Sequence, residues 1–95
     1  MNLDEEFTFK DDPSFADFKT QNFYLAVYLK AFGFPLLRVE KVSLTRVVFV
    51  FPKSPNLEEE MSKFLYGRAL IDPQKFIVEI KALKSIIFES LDNQN

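Results

Sequence analysis

A chain of 95 residues with 47% hydrophobic content is enough for one domain around a single core, close to the size at which contacts with a partner add useful stability. It contains neither cysteine nor histidine, which excludes disulfides, zinc sites built on Cys or His, haem ligation, Ser–His and Cys–His nucleophile pairs and histidine acid–base catalysis. The net charge of −2 hides an uneven distribution: residues 1–19 sum to −4, residues 20–84 to +4, and Glu89 and Asp92 near the end add −2.

Residues 1–19 therefore read as an acidic N-terminal arm. Its opening "MNLDEEF" is acidic where a signal peptide would be basic. Within it Phe7, Thr8 and Phe9 alternate as in a half-buried strand, before Asp12-Pro13-Ser14 breaks the chain. The domain proper is expected over residues 20–91, with 92–95 a disordered tail. A first helix is predicted over about 21–32, with Thr20 as N-cap, Gly33 in the left-handed position beyond its end and Pro35 preventing continuation. Placed at 100° per residue, Phe23 to Phe32 point apolar or aromatic groups in every direction, and Lys30 is the single charge. Such a helix needs covering all round.

"LLRVEKV" (36–42) has Leu37 and Val39 on one face and Arg38 and Glu40 on the other, the pattern of a strand wet on one side. "RVVFVF" (46–51) is apolar on both faces and reads as the central strand. The short Ser43-Leu44-Thr45 link makes these two an antiparallel hairpin over 36–51. A central strand needs a second neighbour, for which the candidates are "FTF" near the start and "ALI" (69–71). A second helix is expected over 57–66, with Asn56 as N-cap, Glu59 completing a capping box and Gly67 closing it. The glutamates at 58–60 suit the positive end of that helix and read as solvated rather than as metal ligands. Asp72-Pro73 opens a last helix over about 74–91, with Phe76, Ile80, Leu83, Ile87 and Leu91 on its buried face. The fold class is α+β: a small antiparallel sheet packed by three helices.

Lys84 falls near the middle of the apolar arc of the last helix. It is read either as a lysine reaching for a phosphate, a carboxylate or a partner, or, more ordinarily, as a stem that snorkels past the rim. Tyr24 and Tyr28, one turn apart, could stack on bases, or form a core pair whose hydroxyls reach the surface. Arg38, Lys41 and Arg46 cluster near the hairpin and could meet nucleic-acid phosphates, although Glu40 lies among them. The two glycines are both accounted for as helix caps, so no glycine-rich phosphate cradle exists. No pair of carboxylates is marked out as acid and base, and neither a cofactor nor a metal is expected.

"KTQNFYLAVYLKAFGF", "RVEKVSLTRVVFVFPKS" and "FLYGRALIDPQKFIVEIKALK", in that order, resemble a domain-of-unknown-function family of short proteins from prokaryotes and their phages. Its pattern has a Thr-x-x-Phe-Tyr-Leu-Ala helix, a hairpin ending Phe-x-Phe and a final helix carrying Leu-Lys. The resemblance covers about residues 20–84. It implies no activity and no cofactor, only a small protein linked to mobile elements.

These readings converge on a cytoplasmic, non-enzymatic interaction or accessory module. Twelve phenylalanines offer more apolar surface than a thin sheet easily hides, so a homodimer is expected. The alternative is a nucleic-acid-binding accessory protein using the weakly basic hairpin and last helix. An enzyme working through carboxylates or lysine stands third.

Overall fold

The first helix finds its covering within its own domain. In the computed structural model, which describes residues 17–92, the element order is β1 (Asp17–Thr20), α1 (Phe23–Phe32), β2 (Arg38–Lys41), β3 (Val47–Pro52), α2 (Pro55–Leu65) and α3 (Pro73–Asp92). The three strands form one antiparallel sheet in the order β1-β3-β2. The α+β class and the central position of 47–51 stand as expected.

The third strand is neither of the two candidates. Residues 69–71 are irregular, and the Phe7–Phe9 segment lies outside the described residues. The neighbour of β3 is instead Asp17–Thr20, three of whose residues were assigned to the arm. Its Phe18 stands opposite Phe51 and its Thr20 opposite Phe49. Two phenylalanines on β3 need an apolar neighbour on that side, and "DFKT" supplies only one, which is why periodicity did not reveal it.

Using Thr20 in the sheet shifts the start of α1. Asn22, not Thr20, is the N-cap, its Oδ1 accepting from the Leu25 backbone N–H at 3.1 Å. The other end is as read: Gly33 takes φ +118°, and its N–H and that of Phe34 return to the carbonyls of Lys30 and Leu29 at 3.1 and 3.0 Å. Leu25 to Leu29 and Ala31 are all buried. Three layers achieve this. Phe23 meets Phe49 of the sheet edge-on, Tyr28 meets Phe64 of α2, and Lys30 pairs with Glu79 of α3 at 2.7 Å.

The second helix also begins earlier than expected. Ser54 is the N-cap, accepting from the Leu57 N–H at 3.1 Å, with Pro55 in the first turn. Asn56 therefore sits inside the helix, and no capping box forms with Glu59. In α3, Leu83 is buried, and Phe76, Ile80 and Ile87 pack on the core beside it, as the spacing predicted. Asp72 caps its start, with Oδ1 accepting from the Gln74 N–H at 3.3 Å.

Alternation sorts the sheet into two faces. Phe18, Val39, Val47, Phe49 and Phe51 face the helices and join the core. On the opposite face Val50 is fully buried outside that core, flanked in register by Lys19 on β1 and Arg38 on β2. Above it the Arg38 guanidinium pairs with Glu40 at 2.7 Å and Asp17 at 3.4 Å, and Lys19 pairs with Glu40 at 3.6 Å. The charged stems thus roof the outer valines.

Candidate interaction surface

The six residues picked out in the sequence do not come together. Arg38 lies on the outer sheet face with its charge shared between Glu40 and Asp17, and these carboxylates hold its pKa above the usual value. Glu40 is held below the ordinary carboxylate range by the hydrogen bond from Arg38. Lys41 falls on the opposite face, in the same row as Val39. Arg46 sits in the hairpin turn, its Nη1 reaching Gln21 Oε1 at 3.5 Å. Lys84 is exposed on α3. The reason is rotational: α3 turns the side centred on Leu83 into the core, so the part of the apolar arc holding Ile77, Lys84 and Phe88 faces outward.

The tyrosines separate as well. Tyr24 is 54% exposed, edge-on to Phe23 at 5.1 Å and stacked with Phe76 at 6.4 Å. Tyr28 is only 1% exposed, so its ring cannot receive a base and its hydroxyl does not reach the surface. That hydroxyl donates to Glu60 Oε1 at 2.7 Å, and the other oxygen of Glu60 accepts from Lys63 Nζ at 3.1 Å. Burial, then the Glu60 hydrogen bond and charge, push the Tyr28 pKa up to about 12. Glu60 is held below the ordinary carboxylate range, first by the Tyr28 hydrogen bond and then by Lys63.

Glu60 is thus a correction. It is 7% exposed, not part of a solvated first turn, while Glu58 and Glu59 stay exposed as expected. Its signal was present in the sequence. Leu57, Glu60, Met61 and Phe64 follow i, i+3, i+4, i+7, which puts Glu60 on the buried face of α2. What the spacing does not contain is the hydroxyl 32 residues away that makes this burial tolerable.

Around this network lies a surface the sequence reading did not assemble. Tyr24, Tyr28 and Phe32 recur every fourth residue along one stripe of α1, and Leu70, 85% exposed, lines the hollow above Tyr28. Two hollows of about 260 and 250 Å³ share Phe32 and Glu60 as a common wall. The first also takes in Gly33, Phe34, Asn56 and Glu59; the second takes in Lys63, Arg68 and Leu70. Phe32 and Phe34 stack at 5.8 Å. Elsewhere Leu44, Tyr66 and Phe88 are each more than two-thirds exposed.

Among the described residues no three acidic side chains converge in a metal-binding cluster, and no helix is long and apolar enough to cross a membrane. Residues 15–89 match a family model described as a domain of unknown function, DUF5659. No curated protein and no solved structure matches the chain.

Proposed function

The chain belongs to the DUF5659 family, and from that premise we propose that it is a non-enzymatic interaction module that associates with itself as part of an accessory role. The setting implied by the resemblance, a small protein of a prokaryotic or phage mobile element, goes with this reading. The observation that carries it is the exposed apolar surface on so small a domain: Leu44, Tyr66, Leu70 and Phe88, with Tyr24 and Phe32 on α1. Large apolar groups gathered on a surface mark contact sites, and Phe32 and Leu70, which line one hollow, are gathered in this way. The closed bonding of the one buried polar cluster among the described residues also favours a structural part over a catalytic one. Both Glu60 oxygens and the Tyr28 hydroxyl are already engaged, and no group there is left activated.

The nucleic-acid reading ranks below it because the bases scatter. Arg38 and Lys41 face opposite ways, Arg38 is neutralised, and Lys84 lies on a helix rather than with the hairpin. The deciding experiment is the solution mass by light scattering in low and high salt, with and without single-stranded and duplex oligonucleotides. A salt-resistant dimer that ignores oligonucleotides is expected. A monomer that gains mass with an oligonucleotide and loses it in salt overturns the proposal in favour of nucleic-acid binding.

A further inference from the structure

We infer that the occupant of the surface around Phe32 and Leu70 is the same surface of a second copy, docked about a two-fold axis near Phe32, with Glu59 of each copy facing Arg68 of the other. The inference rests on the self-association proposed above and names its surface.

Groups of opposite charge are ordered along α2. Asn56, Glu59, Glu60 and Lys63 succeed one another along its flank toward α1, and Arg68 follows just beyond its end, where its backbone N–H bonds the Lys63 carbonyl at 2.7 Å. Charge therefore runs from negative to positive along this edge, with Phe32 and Glu60 at the point where the two hollows join. A two-fold rotation about that point turns the edge end for end, so that negative meets positive twice. Such an isologous contact requires a self-complementary surface, which this ordering provides. It also places the two α2 helices antiparallel, an arrangement that sets opposite dipole ends together.

The charges are available for it. Glu60 and Lys63 satisfy each other within the chain, whereas Glu59 and Arg68 are exposed and neither forms an ion pair among the described residues. Between them lies the apolar centre, Phe32 at 45% exposure and Leu70. An apolar centre with charges at its margin is the usual anatomy of a specific contact. The exposed flank of α3, with Ile77, Val78 and Phe88, lacks this property. Its charged companions are mostly of one sign, Lys75, Lys81 and Lys84 against Glu89, so a second copy would meet net like charge there.

The test is sedimentation of the full chain over a concentration series, comparing the wild type with Glu59→Arg, Arg68→Glu, the double exchange, Leu70→Asp and Phe88→Asp. All four positions are exposed, so circular dichroism is expected to show the wild-type fold throughout. Each single exchange is expected to weaken dimerisation at least about tenfold, because the two-fold repeats every altered pair. The double exchange should restore it, Leu70→Asp should abolish it, and Phe88→Asp should leave it unchanged. Single exchanges without effect, or a double exchange that fails to restore, overturn the two-fold pairing. A dimer broken only by Phe88→Asp overturns this surface while leaving self-association intact. A wild type monomeric at every concentration overturns both.

Discussion

Tyr28 and Glu60 account for each other's burial. A carboxylate at 7% exposure and a phenol at 1% would each be costly alone; joined at 2.7 Å, with Lys63 on the second oxygen, they tie α1 to α2. Tyr28→Phe keeps the ring and removes the donor, leaving Glu60 Oε1 without its partner, so a loss of about 1–3 kcal/mol is expected in urea denaturation. The pair also sets a pH window. Glu60 has a folded pKa below its ordinary 4.5, so its contribution is present above that value and is lost as pH falls through the lowered one. Tyr28 has a folded pKa raised from 10.0 to about 12, so its contribution is present below 10 and is lost as pH rises through 12. Denaturation midpoints should hold level from about pH 5 to 9 and fall on both sides, and Tyr28→Phe should remove the alkaline share of that fall.

Among the elements, the ends of helices were the least legible feature. Thr20 and Asn22 are both good caps, as are Ser54 and Asn56, and local preference ranks such pairs nearly equal. Tertiary structure broke the first tie and a local residue, Pro55, the second. Thr20 was taken by the pairing of β1 with β3, and its Oγ1 instead accepts from the Asn22 N–H at 3.0 Å. Pro55, with its fixed φ, suits the first turn directly after Ser54. Ser54→Ala should therefore cost about 1 kcal/mol by thermal denaturation, whereas Asn56→Ala should change little. Equal effects at the two positions would contradict the cap geometry. Gly33 was legible because only a positive φ lets the chain leave α1 toward β2, and glycine adopts it without strain.

At the scale of the whole molecule, the sheet's two faces have different fates. The inner face carries the apolar load of β3 against α1, and the outer face is closed by four charged side chains over Val50. The apolar directions of α1 left two coverings open, its own sheet and helices or, for part of it, a second copy. The structure divides the answer: Leu25 to Leu29 and Ala31 are covered by the sheet, α2 and α3, and only Tyr24 and Phe32 stay open. Lys84 belongs at this scale as well, since only the rotation of α3 against the core decides whether it lies in the packed or the open part of the arc. Lys84→Met should leave unfolding free energy within about 0.5 kcal/mol of wild type and leave oligonucleotide retention unchanged. Retention that disappears with this charge would restore the basic reading of the surface.

The sequence by itself determined the α+β class, the hairpin, the central strand and the buried side of the last helix, because these rest on periodicities of two and 3.6 and on residues such as Gly33 and Pro73 whose backbone preferences are local. Only the tertiary structure decided that Asp17–Thr20 is the third strand, that Glu60 is buried and that the basic residues scatter. Those outcomes depend on partners 21 to 35 residues apart, such as Tyr28 with Glu60, Arg38 with Asp17 and Phe18 with Phe51, and no local pattern records which distant group a side chain will meet.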